Sequence, residues 1–171
     1  NDATITKSWL DHLVTPLGPS VGICGSKLLY PTNRFSPIHN REIKKGTIQH
    51  AGIIVDGSLT PMHVSRFERS DSPEVNIRRT YPYVTGASLA IRRSIFDDIG
   101  GFDPKYTNGC EDLDLCVKVR TMNLDVLYCP QSVGFHHETA TRKPDNGNLA
   151  LFKQEYRTQL EKDANFISKE L

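Results

Sequence analysis

The stretch "VTGASLAIRRSIFDDIGGFDPKYTNGCEDLDLCVKVR", Val84 to Arg120, decides how the chain folds. It opens within "YPYVTGASLAI", which reads as a strand, with Gly86 where a backbone must approach something closely. "RRSIFDDIGGFD" reads as a short helix ended by Gly100 and Gly101. After the glycine-containing approach "TNGC", a second helix begins with Glu111, Asp112 and Asp114 and ends with Lys118 and Arg120. That charge order complements the helix macrodipole.

Upstream, "ITKSWLDHLVTPL" (5–17) has helical spacing and closes at a proline-glycine turn. "VGICGSKLLY" (21–30) is a short apolar run, the pattern of a buried strand. Residues 31–46 are polar and proline-containing, a surface loop or hairpin approach, and "TIQHAGIIVDG" (47–57) reads as a strand and turn. Residues 58–80 have no clean period and are expected to be a long loop. Downstream, "LDVLYCP" is a strand stopped by Pro130. "NLALFKQEYRTQLEKD" (148–163) is an amphipathic helix with Leu149, Phe152, Tyr156 and Leu160 on one side. Alternating strands and helices argue for an α/β fold in one domain spanning 1–171. An evident ligand-binding first strand is missing, which reads as a piece of a larger fold.

Composition narrows the function. The 171 residues are 37% hydrophobic, with net charge +1 and acids and bases interspersed. Neither a nucleic-acid arm nor a polybasic membrane patch is expected. No apolar run reaches the ~20 residues of a membrane-spanning helix, and the start lacks a signal-peptide pattern. Cys24, Cys110, Cys116 and Cys129 contain no C-x-x-C pair, so they read as buried thiols of a reducing cytosol rather than as a zinc site.

Two groups of residues can carry chemistry. Glu111 and Asp112 diverge by about 100° on a helix, so they cannot face the same surroundings. A carboxylate at such a helix mouth can serve as a general base, although helix-start electrostatics alone also explains acids there. In "PQSVGFHHETATR", His136 and His137 point to opposite faces if extended, so at most one of them is a ligand. Two adjacent helical acids do not flank a single bond at the ~5–9.5 Å of a glycoside hydrolase.

In order, "WLDHLV", "VGICGSKLLYP", "TIQHAG", "VTGASLAIRRSIFDDIGGFD", "EDLDLCVKVR", "VLYCP" and "FHHETATR" resemble the second half of a family 2 glycosyltransferase of GT-A fold, from Asn1 to about Arg157. The resemblance implies an α/β mixed sheet and inverting, single-sugar transfer from a nucleotide-sugar donor to a carbohydrate or glycolipid acceptor. A setting in cytoplasmic polysaccharide biosynthesis, with peripheral rather than transmembrane attachment, goes with it. The Q-x-x-R-W motif of processive synthases is absent. The half that binds the nucleotide would precede this chain, so the fragment alone is expected to be inactive.

Residue by residue, the resemblance matches Asp112 to the catalytic base, with Glu111 beside it to orient the acceptor or tune the base. It matches Asp2 to the last acid of an Asp-X-Asp-like metal motif. His136, with His137 as fallback, matches the histidine that completes the metal site in some relatives. An oxygen-rich site with one imidazole suits Mn²⁺ or Mg²⁺. Thr85, Gly86 and Ala87, with Gly100, Gly101, Phe102 and Asp103, match segments lining the donor sugar and the acceptor. Asp114 is read as a helix-face or capping charge. The alternative is a catalytically silent module that retains the fold and grips a carbohydrate or a protein.

Overall fold

An unbroken run of buried residues, Val21–Leu29, forms the central strand, as expected of a strand covered on both faces. The structure is a computed structural model describing residues 2–37, 39–107, 109–137 and 146–166. Asn1, Asn108 and the 138–142 end of the histidine motif lie outside the described residues. In chain order the elements are β1 (Ala3–Ile5), α1 (Trp9–Val14), β2 (Val21–Leu29), β3 (Arg34–Ser36), β4 (Arg41–Ile43), β5 (Ile48–His50), β6 (Ile53–Val55) and β7 (Pro61–His63). A 3₁₀ turn (Pro73–Asn76) follows, then β8 (Arg79–Thr80), β9 (Leu89–Ile91), α2 (Arg93–Asp98), α3 (Glu111–Thr121), β10 (Asp125–His136), α4 (Asn146–Glu155) and α5 (Arg157–Asp163).

The main sheet runs β1-β10-β2-β5, with β8 also on β10 and β9 on β2. β10 is parallel to β2, and the other pairings are antiparallel. The fold is therefore α/β with a mixed sheet. Two hairpins, β3–β4 and β6–β7, stand beside it.

Several sequence expectations are corrected. Pro130 does not stop its strand. Cys129 pairs with Ser26 and Val133 with Lys27, so the ladder jumps across Pro130–Ser132 and β10 continues to His136. A proline cannot donate to a ladder, and the bulge removes it from pairing without ending the strand. Ser132 Oγ secures the bulge by donating to the Trp9 carbonyl at 3.0 Å, and it lies 2.8 Å from Ser26 Oγ.

Within "YPYVTGASLAI" only Leu89–Ile91 is strand, while Tyr83 makes a single bridge to Ile53. Segment 47–57 splits into β5 and β6. Residues 58–80 hold β7, the 3₁₀ turn and β8 rather than one loop. The C-terminal helix divides at Tyr156, whose backbone departs to φ −107 and ψ 24.

α3 is buried almost all round: Leu113, Asp114, Leu115, Cys116, Val117 and Val119 are all inside. It packs on Ile23 and Val126 of the sheet, and Phe152 and Leu160 share the same cluster. A side chain at Gly22 would meet Val119 Cγ1 at 2.3 Å, so glycine is what lets helix and sheet approach. Asp114 is buried rather than facing solvent; its Oδ1 accepts from Tyr156 Oη at 2.6 Å, and Lys118 Nζ pairs with Oδ2 at 2.8 Å. Asp163 locks α5 in place, accepting from both Arg120 Nη atoms (2.8 and 2.7 Å) and from Tyr83 Oη (2.6 Å). Cys24, Cys116 and Cys129 are buried and Cys110 partly so, all as free thiols.

β5 places two polar side chains inside: Gln49 is 2% exposed and His50 is fully buried. Burial holds the His50 imidazole neutral, well below the usual histidine range, with His63, Arg66 and His136 adding in the same direction.

Two stability experiments follow from these buried groups. Asp163→Ala leaves the partly buried Arg120 guanidinium without its bidentate partner and Tyr83 Oη without its acceptor, and a loss of about 1–3 kcal/mol is expected in urea unfolding; no measurable loss would show that α5 is held by packing alone. Below about pH 6.5 the unfolded chain takes up a proton that folded His50 refuses, so stability falls as pH drops, by up to about 1.4 kcal/mol per unit. Comparing urea midpoints at pH 7.5 and 5.5 should show a shallower loss in His50→Gln than in the parent, and equal losses would contradict the assignment.

Candidate functional site

The bulge decides where the histidine pair ends up. β10 carries His136 to the strand pairing Ala3↔His136, and His137 N–H donates to the Asp2 carbonyl at 2.8 Å. Asp2 and His136, 134 positions apart in the chain, thus become neighbours: His136 Nε2 lies 3.3 Å from Asp2 Oδ1. His136 is partly buried and His137 exposed, so strand alternation selects the first of the pair.

Gln49 sets the imidazole's tautomer. Its Nε2 donates to the His136 carbonyl at 3.1 Å, which turns Oε1 toward His136 Nδ1 at 2.7 Å. Nδ1 therefore carries a hydrogen, and Nε2 is left facing a carboxylate. Two acceptors this close favour a proton or a cation shared between them. A histidine whose other nitrogen donates to a side-chain oxygen is the usual arrangement of a metal ligand. The donor set, one carboxylate and one imidazole, fits a divalent cation such as Mn²⁺ or Mg²⁺ when further oxygen ligands are supplied. Among the described residues no group of three His, Cys, Asp or Glu side chains forms a metal cluster.

The carboxylate of Asp112 projects from the start of α3. Its Oδ2 accepts from Gly86 N–H at 2.7 Å and its Oδ1 from Leu113 N–H at 2.9 Å. A methyl group on Gly86 would sit 3.2 Å from Asp112 Cβ, a tight contact where the 85–87 segment meets the helix. Two left-handed residues, Gly109 (φ 111) and Cys110 (φ 70), turn the chain into α3. Strained backbone of this kind persists only where its surroundings over-determine it: Glu111 Oε2 accepts from Gly109 N–H at 2.6 Å, and Asn148 Nδ2 donates to the Gly109 carbonyl at 2.9 Å. Glu111 thereby fastens the turn that aims Asp112.

His50, the neighbour of Gln49 on β5, is tied to the 85–87 segment rather than to His136. Its Nε2 accepts from Gly52 N–H (3.3 Å) and more weakly from Thr85 N–H (3.5 Å), so Nδ1 donates to His63 Nδ1 at 3.0 Å. Thr85 and Gly86 thus lie between His50 and Asp112, while Gln49, next to His50, holds His136. Ala87 N–H donates to Thr85 Oγ1 at 3.3 Å, completing the turn.

The second expected sugar-facing segment has its own structural ties. Gly100 and Gly101 adopt φ 78 and 68 and cap α2, with Gly101 N–H donating to the Phe96 carbonyl at 2.8 Å. Phe102 is 46% exposed and meets the Phe96 ring edge-on at 5.5 Å. Asp103 and Glu155 flank Lys105 at 2.8 and 2.7 Å, which holds Asp103 and Glu155 below the usual carboxylate range. The contacts of this segment run to α2 and α4.

Sequence reasoning passed over Gln49, His50 and His63. The signal was present: "IQH" places two polar side chains in an apolar strand, and buried polar groups in strands require partners.

No family model matches the chain. It is 31% identical over 149 residues to the O-antigen biosynthesis protein RfbC of Myxococcus xanthus, covering 82% of this chain and 10% of that protein. It is also 31% identical over 80 residues to an N-acetylglucosaminyl-diphospho-decaprenol L-rhamnosyltransferase of Mycobacterium tuberculosis, covering 46% of this chain and 26% of that one. The chain therefore spans about a quarter or less of the length of these relatives. A crystal structure of GalNAc-T7 with UDP, GalNAc and Mn²⁺ superposes with a TM-score of 0.61 at 15% identity, over 93% of this chain and 32% of that one. The similarity to an O-antigen biosynthesis protein and to a rhamnosyltransferase, together with a fold shared with a GT-A structure, supports a GT-A glycosyltransferase-like domain.

Proposed function

We propose that this domain is the acceptor-side part of an inverting, non-processive family 2 glycosyltransferase acting on a nucleotide-sugar donor and a carbohydrate or glycolipid acceptor. The observation that carries the reading is the meeting of Asp2 with His136, linked through Gln49, His50 and Thr85 to the segment that holds Asp112. The names of the relatives, one in O-antigen biosynthesis and one a rhamnosyltransferase, support glycosyl transfer.

Asp112 acts as the general base. Backbone N–H groups of Gly86 and Leu113, one on each carboxylate oxygen, fix its orientation. Asp112 takes the proton of the acceptor hydroxyl as that oxygen forms its bond to the anomeric carbon. The bond from that carbon to the donor diphosphate breaks, and its electron pair leaves with the nucleoside diphosphate. Attack opposite the leaving group inverts the anomeric configuration. Glu111 keeps Asp112 in position by bracing Gly109. The backbone of Thr85, Gly86 and Ala87, set against Asp112 at Gly86, lines the donor sugar. Gly100, Gly101, Phe102 and Asp103 face the acceptor from the α2 side. Asp2 and His136 would hold Mn²⁺ or Mg²⁺, which when bound neutralises charge on the departing diphosphate.

In a longer protein carrying this domain with its donor-binding half, Asp112→Asn is expected to lower turnover by on the order of 10²–10⁴-fold with unchanged thermal unfolding; retained turnover removes Asp112 from the mechanism and favours the silent carbohydrate-binding module. On the domain itself, Mn²⁺ titration followed by electron paramagnetic resonance should show binding lost in His136→Ala. Gln49→Leu should weaken it by about 10–100-fold, because the imidazole loses its orienting partner. Affinity unchanged in both variants would place the metal elsewhere.

A further inference from the structure

α4 supplies no group to the transfer chemistry, yet three of its polar side chains reach across to loops. Phe152 pins the helix: it is fully buried and meets the rings of Tyr83, Tyr106 and Tyr156 at 6.2, 6.3 and 5.0 Å. A residue four positions earlier lies on the same helix face, so Asn148 is carried inward as well and is 7% exposed. An amide buried that far needs a partner, and its Nδ2 donates to the Gly109 carbonyl at 2.9 Å. At the other end of the helix, Glu155 accepts from Tyr106 Oη at 2.8 Å and pairs with Lys105 at 2.7 Å. Between the two, Lys153 Nζ donates to Thr60 Oγ1 at 2.7 Å, in the turn that joins β6 to β7.

Two of these contacts fall on the segments assigned above to the base and to the acceptor. Gly109, buried and at φ 111, is where the chain turns into α3, just before Asp112. It is gripped from both sides, at its N–H by Glu111 (2.6 Å) and at its carbonyl by Asn148. Glu111 belongs to α3 and ties the turn only to its own helix, whereas Asn148 ties it to a separate helix anchored in the core. Lys105 also pairs with Asp103 at 2.8 Å, so Glu155 holds the end of the Gly100–Asp103 segment. Asn148 and Glu155 stand about two helical turns apart, so one rigid rod separates the two grips by about 10 Å along its axis.

We propose that α4 is a brace that keeps the base and the acceptor-facing segment in register. Asn148 is the positioning residue for Asp112, and Glu155 is the positioning residue for Gly100–Asp103. Neither touches a reacting atom. What they position rests on the transfer reading above; the mechanical coupling through α4 does not. Without the Asn148 amide, the left-handed pair Gly109–Cys110 loses a restraint that comes from outside its own helix. The aim of Asp112 at the hydroxyl then loosens, and that loss falls on turnover. Loosening Gly100–Asp103 weakens acceptor binding instead.

Two measurements test the brace. On this chain, the Gly86 and Leu113 N–H groups that donate to the Asp112 carboxylate report its position in ¹H–¹⁵N spectra. Asn148→Ala should move both signals. Lys153→Ala, which frees α4 from the β6–β7 turn without touching Gly109, should leave them in place. In a longer protein carrying this domain with its donor-binding half, Asn148→Ala should lower kcat by about 10–100-fold at nearly constant acceptor KM, and Glu155→Ala should raise acceptor KM by about fivefold or more at nearly constant kcat. Lys153→Ala should change neither. Glu155 is exposed, so its substitution leaves the fold intact, and its KM split decides alone if Asn148→Ala does not fold. Unmoved signals in Asn148→Ala, equal effects in Lys153→Ala, or an unchanged acceptor KM in Glu155→Ala would overturn the brace. So would turnover retained in Asn148→Ala where Asp112→Asn loses it. Moved signals combined with full turnover in Asp112→Asn would instead keep the coupling and remove the transfer reading.

Discussion

A proline that cannot donate to a β-ladder sits in the longest strand of the sheet, and the domain is arranged around the way that defect is absorbed. β10 pairs in parallel with β2 up to Cys129, bulges across Pro130–Ser132, and resumes its pairing at Val133. Had the strand ended at the proline, His136 would lie on an unpaired loop and β1 would have no partner. Because it continues, the antiparallel pairing of β1 with β10 draws the start of the chain and the histidine pair together. The bulge is fastened by hydroxyls: Ser26 Oγ lies within hydrogen-bond distance of both Ser88 and Ser132, and Trp9 Nε1 donates to Ser26 and Ser88. These bonds join α1, β2, β10 and the approach to β9 at one point, so the geometry of the Asp2–His136 pair depends on a small polar network inside the sheet.

The second support is α3. A helix covered on nearly every side must dispose of its polar groups, and here each has a task. Asp114 is answered by Lys118 and Tyr156, and Arg120 by Asp163. Such buried ion pairs add little net stability over apolar packing, but losing one partner is costly, so they specify how α3, α4 and α5 sit together. Asp112 then projects from a rigid helix rather than from a loop, braced at Gly86 and, through Glu111, at Gly109.

His50 ties β5 to the segments on either side of it. Its burial and its acceptance of two backbone N–H groups impose one tautomer, which orients His63 on one side and Thr85 on the other. The candidate cation ligands and the segment that holds Asp112, the candidate base, are both reached from β5. Gln49 and His50 are consecutive on that strand and serve different regions because alternate side chains leave a strand on opposite faces.

Much of this was legible in the residues. The buried central strand, the short glycine-ended helix and the charge-ordered α3 follow from local patterns: apolar runs, glycine at a helix end, acids before bases; Asp112 is singled out as the candidate base by the resemblance alone. The motif order in "TGA", "GGFD" and "EDLDL" carried the resemblance to glycosyltransferases, and the GT-A structural neighbour agrees with the fold it implied. Local pattern was silent or misleading wherever distant segments decide the outcome. A proline reads as a stop until a partner strand beyond it accepts a bulge, an acid in a helix's first turn reads as solvated until Tyr156 and Lys118 bury it, and Gln49 and His50 read as strand residues until His136 and Thr85 arrive. Residue types and backbone preferences, which depend on neighbours in sequence, are what the chain determines alone. Partnership, burial and tautomer depend on neighbours in space, and only the assembled sheet and helices supply those.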